Sequence, residues 1–201
     1  MSYIYVPRFF GGASAASIIA KLVAYYKMDE SSGATRVDVI SWNNAANNGT
    51  VGADTALGVA DATWNNNTAN YLLVSDNSQI SMGDFDWGIF GWAQWNSFAG
   101  GLGRVLLSKG DDNAAAAETE YIVLTESTDF VFYLSDHTTR TRLAIGITLS
   151  TATTYFWHVW YNNTTNTMHA QINNGSTNST SKTTGGYDGT YTLTFGKYNN
   201  F

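Results

Sequence analysis

Hydrophobic and polar positions alternate with a period of two along most of this chain. Tyr191, Leu193 and Phe195 share one face while Thr192 and Thr194 take the other. Met168, Ala170 and Ile172 alternate in the same way with His169 and Gln171, and Phe130, Phe132 and Leu134 line one side of their segment. The run from Phe156 to Tyr161 is apolar on both faces, as a central strand is. The pattern predicts strands over 22–28, 70–74, 89–95, 104–108, 121–125, 130–134, 142–147, 155–161, 167–172 and 190–196. Helical spacing occurs once, over 13–24, where Ile18, Ile19, Leu22 and Val23 follow small residues.

Turn chemistry separates these runs. Asn48-Gly49 and Asn174-Gly175 accept positive φ, and the second predicts a hairpin between the strand ending at Ile172 and the polar run 176–184. A further hairpin is expected over 162–166, and 113–117 reads as a loop. The one proline, Pro7, falls near the N-terminus, and no internal repeat of 20–50 residues occurs. Many short strands with turns between them predict an all-β protein, a sandwich or barrel.

Composition narrows this. A chain of 201 residues suits one domain, which buries roughly 70% of its unfolded surface. Hydrophobic residues at 44% exclude disorder, while charged residues reach only 13%, so the surface is polar and mostly uncharged. Net charge of -6 with scattered Lys and Arg excludes nucleic acid as the expected partner. Zero cysteines exclude disulfides, thiolate metal sites and a cysteine nucleophile. No apolar run spans a bilayer, and residues 1–26 lack the charge-then-apolar order of a signal peptide, so 1–21 are expected to form an N-terminal arm.

Several segments, in order, carry a resemblance. Leu22-Val-Ala-Tyr-Tyr-Lys-Met-Asp-Glu-Ser-Ser-Gly33 is followed by Asp38, Asn43, Asn44 and Asn47-Asn48-Gly49-Thr50. Gly88-Ile-Phe-Gly-Trp-Ala-Gln-Trp95, Val105-Leu-Leu-Ser-Lys-Gly110, Tyr155-Phe-Trp-His-Val-Trp160 and His169-Ala-Gln-Ile-Asn-Asn-Gly175 come after. Together they resemble the laminin-G-like, concanavalin-A-like lectin-glucanase domains over roughly residues 22–198. The resemblance implies an antiparallel jelly-roll β-sandwich over 22–201. Such domains usually close with a strand beside the first one. The chain ends at Phe201 without it, so either the sequence continues or the Leu22 strand presents an open edge to a partner.

The resemblance also implies calcium near the first strand, with Asp38, Asn43 and Asn44 as the oxygen ligands; the competing role for Asp38 is turn capping. Some relatives of this shape are glycosidases, which need paired carboxylates. The nearest pairs are Glu118 with Glu120 and Asp84 with Asp86, and both read as solvated acids at strand ends or in loops. His137, His158 and His169 are dispersed, and His158 reads as a packed side chain. No nucleophile elbow, zinc-binding helix motif or phosphate loop occurs, so catalysis is not expected.

Trp42, Trp64 and Trp87 fall in expected loops and are the candidate sugar platforms; Trp92, Trp157 and Trp160 fall on expected strands and read as core. The sequons at Asn66 and Asn178 are what an Asn- and Thr-rich chain produces by chance. The expectation is a non-catalytic structural, decoration or surface-binding module of a larger assembly such as a virion, in contact with glycans and with other subunits through the arm and the open edge. The alternative is a secreted or cell-surface lectin-like module.

Overall fold

The computed structural model describes residues 4–7, 22–54, 61–63, 70–98, 103–110, 119–182 and 184–197. The strands are β1 (Ile4–Pro7), β2 (Leu22–Tyr26), β3 (Ala46–Asn48), β4 (Gly52–Asp54), β5 (Asp61–Thr63), β6 (Tyr71–Val74), β7 (Trp87–Gln94), β8 (Arg104–Gly110), β9 (Thr119–Glu126), β10 (Asp129–Ser135), β11 (Arg140–Ala144), β12 (Thr154–Asn162), β13 (Thr167–Ile172), β14 (Asn178–Ser181) and β15 (Leu193–Phe195). No helix occurs among the described residues. Of the expected helix over 13–24, residues 22–24 belong to β2 and the rest lies outside the described residues.

Two antiparallel sheets form a sandwich. One is six-stranded, in the order β14-β13-β12-β7-β1-β2; the other is seven-stranded, β11-β10-β9-β8-β15-β6-β3. Strands β4 and β5 pair separately. The alternation read from sequence places the inward residues. Ala24, Tyr26, Trp87, Ile89, Trp157, Val159 and Met168 from the first sheet meet Leu72, Tyr121, Val123, Phe130, Phe132 and Phe195 from the second. Aromatic contacts lock the sheets together: Trp87 lies edge-on to Phe132 at 5.9 Å, Tyr26 edge-on to Phe195 at 5.4 Å, and Phe130 against Trp157 at 6.1 Å. A second buried cluster, Val105, Ile122, Leu124 and Val131, comes from the alternate positions of β8, β9 and β10.

Charge divides the sheets. No Asp, Glu, Lys or Arg occurs in any strand of the six-stranded sheet, whereas β8 to β11 of the other sheet carry both signs. Buried ion pairs fasten the charged half. Lys109 of β8 is buried and meets the buried Glu120 of β9 and, at 2.7 Å, Asp76. Lys182 is buried on Asp136 at 2.8 Å and joins the end of β14 to the β10–β11 turn.

The Leu22 strand is still the last strand of its sheet, but segments of its own chain lie along both of its sides, so the edge is more covered than the sequence reading expected. Strand β1, from the expected arm, pairs antiparallel with β2 from Ile4↔Tyr26 to Pro7↔Leu22 and also with β7, so it fills the place beside β2. On the other side, residues 38–41 follow β2: Val39 N donates to Tyr25 O at 3.0 Å, Tyr25 N donates to Asp38 Oδ1 at 2.9 Å, and Ser41 Oγ reaches Val23 O. The other end of the sheet is β14, whose Asn-Ser-Thr-Ser sequence is wholly polar.

The hairpin expected at 173–175 forms between β13 and β14, but Asn173 takes the positive φ, at 51°. Asn48-Gly49 does not make a tight hairpin. Gly49, at φ 69°, turns the chain from β3 into the separate β4–β5 pair. No helix among the described residues is long and apolar enough to cross a membrane.

Candidate functional site

The three neighbouring strands β7, β12 and β13 set the site. Their pairing places Trp92 opposite Phe156, Phe90 opposite His158 and Trp160 opposite His169. Because Trp157, Val159 and Tyr161 point into the core, the alternate residues Phe156, His158 and Trp160 must stand on the outer face. Their rings form a continuous band. Trp92 meets Phe156 at 5.1 Å, Phe156 meets Phe90 at 5.9 Å, and Phe90 lies edge-on to His158 at 5.8 Å. His158 stacks on Trp160 at 4.5 Å, and Trp160 on His169 at 4.8 Å.

The band has two different ends. At one, His158, Trp160 and His169 turn their faces to each other, with interplanar angles of 22° and 12°, and so use those faces internally. At the other, Trp92 is 39% exposed and borders an open cleft of about 350 Å³ that Phe156, Asn173 and Asn174 also line. This volume lies at the small end of ligand sites, about 300–1,000 Å³. The turn that carries the two amides is fixed. Asn173 N donates to Phe156 O at 2.7 Å, and Phe156 N donates to Asn173 Oδ1 at 2.9 Å. The Asn174 side chain is exposed beside this fixed turn, with donor and acceptor both on offer.

Electrostatically the face is neutral. Burial, and then the proximity of His169, lowers the His158 pKa to about 4, and burial also lowers that of His169. Both imidazoles are uncharged at neutral pH. An apolar indole beside the free amide of Asn174, on a sheet whose strands carry no charge, can stack on one face of a neutral ring and hydrogen-bond its edge hydroxyls.

The residues singled out from sequence lie elsewhere. Trp87 is not in a loop: it opens β7 and is fully buried against Phe132 and Tyr121, so its ring faces no solvent. Trp42 is 83% exposed, on a left-handed backbone at φ 64°, at the opposite edge of the sheet from β13. Trp64 lies outside the described residues. Trp157 is core as expected, whereas Trp92 and Trp160, expected in the core, stand on the outer face. The missed signal is the pairing of Phe90-x-Trp92 with Phe156-x-His158-x-Trp160, two alternations that are apolar on both sides.

The calcium set does not fit an ion. Asp38 Oδ1 accepts from Tyr25 N and Ile40 N, and Oδ2 accepts from Ser41 N and Asn43 N, so hydrogens occupy the positions a cation needs. Asn43 Oδ1 accepts from Asn77 Nδ2 and Asn44 Oδ1 from Asp38 N. Among the described residues no group of three or more His, Cys, Asp or Glu could hold a metal.

The acids singled out from sequence hold structural contacts where they are described. Glu118 lies outside the described residues, and Glu120 is buried on Lys109 rather than solvated. Asp84 accepts from the Tyr161 hydroxyl at 3.3 Å and Asp86 from Asn163 N at 2.7 Å. His137 packs on Tyr187, far along the chain from the other two histidines.

No protein-family model matches the chain, and no curated protein matches its sequence. Its likenesses are to solved structures. The binding domain of Paraclostridial Mosquitocidal Protein 1 superposes with a TM-score of 0.67 at 14% identity, over 84% of this chain and 45% of that one. The botulinum neurotoxin serotype C1 binding domain gives 0.54 at 18% identity, over 84% and 43%. A structure of botulinum neurotoxin type C, whose cell entry depends upon interaction with two ganglioside molecules, gives 0.51 at 19% identity, over 84% and 43%. The chain spans less than half the length of each, and at these identities the likeness is one of fold: an antiparallel β-sandwich.

Proposed function

We propose that this chain is a non-catalytic carbohydrate-binding module whose glycan contact is the cleft of Trp92, Phe156, Asn173 and Asn174. One observation carries the reading: the sheet that bears the cleft has no charged residue in any strand, yet leaves an indole exposed beside the free amide of Asn174. That combination suits a neutral pyranose, apolar on one face and hydroxylated at its rim. The structures it resembles include a toxin that engages gangliosides, which agrees with the reading without deciding it. Within β-sandwiches we assign the chain to the laminin-G-like, concanavalin-A-like group, supported by the order of the segments from Leu22 to Gly175.

The proposed setting is the surface of a larger assembly such as a virion, or alternatively the extracellular space. Support for either setting comes from the composition: charged residues reach only 13%, which leaves a polar, mostly uncharged surface. The test is binding of the full chain to a neutral-glycan array, followed by calorimetry on the best ligand. Trp92→Ala should weaken binding about tenfold or more, and Asn174→Ala several-fold. An array without neutral ligands, or a ligand held equally by Trp92→Ala, would sink the proposal.

A further inference from the structure

Residues 37–42 invert the usual polarity of a surface segment. Among the described residues, the large hydrophobic side chains left exposed are Val37, Val39, Ile40, Trp42 and Trp92. All but Trp92 fall in this one stretch. Its polar side chains turn inward instead. Asp38 is buried, and Ser41 Oγ sits between Val23 O and Asp38 Oδ2.

The backbone N–H groups of residues 37–41 are also satisfied from within. Val37 N donates to Glu30 Oε1 at 2.6 Å, Asp38 N to Asn44 Oδ1 at 3.0 Å and Val39 N to Tyr25 O at 3.0 Å. Ile40 N, Ser41 N and Asn43 N donate to the Asp38 carboxylate. Leaving water therefore breaks none of these backbone hydrogen bonds, and breaking them is the cost that normally keeps loops out of apolar media. Trp42 holds a left-handed backbone that a bulky residue rarely adopts, with its ring almost wholly in solvent.

We propose that Val37, Val39, Ile40 and Trp42 insert into the headgroup–acyl boundary of a neutral lipid bilayer. Size argues for lipid over a second copy of the chain. The four side chains expose on the order of 400 Å², about half of the ~800 Å² per partner that a stable protein interface buries. A bilayer needs no matched surface, and tryptophan favours its interface. Charge selects the lipid. The one charged residue in the stretch, Asp38, is buried; the Glu30 carboxylate holds the Val37 amide at its start, and the chain carries a net charge of -6. Anionic headgroups would repel such a protein.

The experiment is flotation of the full chain with pure phosphatidylcholine vesicles, in low and in high salt. The chain should float at both salt levels. Trp42→Ala and the double variant Val39→Ser/Ile40→Ser should each lower the partition coefficient about tenfold or more while keeping the parent near-ultraviolet circular dichroism. Failure of the parent to float, equal flotation by the variants, or flotation only with anionic lipid overturns the proposal. A solution mass that doubles with concentration and is restored to one chain by the same substitutions also overturns it, and assigns the patch to a second copy.

Discussion

Replacing Lys109 with Met should expose what the buried ion pair contributes. Lys109 and Glu120 are fully buried side chains on adjacent strands; Lys109 also donates to Gly189 O at 2.9 Å, and Glu120 accepts from Met82 N at 3.1 Å and Gly189 N at 2.9 Å. The pair thus joins β8 and β9 to the segments around Met82 and Gly189. Methionine matches the lysine stem but leaves the carboxylate without its counter-charge, a change that costs about 3–5 kcal/mol when the remaining charge stays buried. The loss should depend on pH. Burial raises the Glu120 pKa from 4.5 to about 7, against the opposing pull of Lys109 and the two backbone donors. A carboxyl raised on folding favours the native state below its unfolded value, and that contribution disappears as pH rises through the folded value. The parent should therefore lose about 3 kcal/mol between pH 4.5 and pH 7 through this group.

Lys109→Met raises the Glu120 pKa further, so its deficit should be largest at pH 8 and at most half as large at pH 5. Glu120→Gln should abolish the slope in that window. Urea denaturation of the three proteins at pH 5, 6, 7 and 8 measures both effects. A Lys109→Met deficit below about 1 kcal/mol at pH 8, or one independent of pH, would refute the reasoning.

The Asp136 cluster should govern the acid limb of stability. Burial raises the Asp136 pKa, but hydrogen bonds from Lys182, Thr184, Thr138 and Thr139 outweigh it and hold the group well below the usual carboxylate range. Its contribution is present above the unfolded value of 3.8 and is lost as pH falls below it, so Asp136→Asn should flatten thermal melts in that range. A Cβ on Gly186 would lie 2.6 Å from Met82 O and 3.0 Å from Gly83 O. Gly186→Ala should accordingly cost about 2 kcal/mol by urea denaturation, because the obstacle is backbone.

Much of the fold was legible because alternation reports burial directly. Strand β13 occupies 167–172 as the pattern predicts, with Met168, Ala170 and Ile172 inward. Strands β3 and β14 were not legible, since Ala-Asn-Asn and Asn-Ser-Thr-Ser carry no apolar rhythm and owe their extended form to a neighbour's backbone. Trp87 was misplaced because β7 begins before its apolar rhythm does, held by pairing of Trp87 with Tyr161 of β12. Glu120 looked like a solvated acid because its partner is on another strand, brought across by the Lys109↔Tyr121 register. The cleft was hidden for a related reason. Nothing local tells whether the second apolar face of β12 is covered, and only the sheet order shows which rings stand beside it.

The position of β15 bears on how the protein is made. It is the last strand described, yet it lies between β8 and β6 and pairs with both, Leu193 with Lys109 and with Val74. Until residue 195 has left the ribosome, β6 and β3 have no hydrogen-bonded link to β8, and Phe195 is missing from its place against Tyr26. Until then the nascent chain carries a divided sheet with uncovered apolar surface. That is the interval in which a chaperone would act, and in which slow elongation near the end of this segment would favour aggregation.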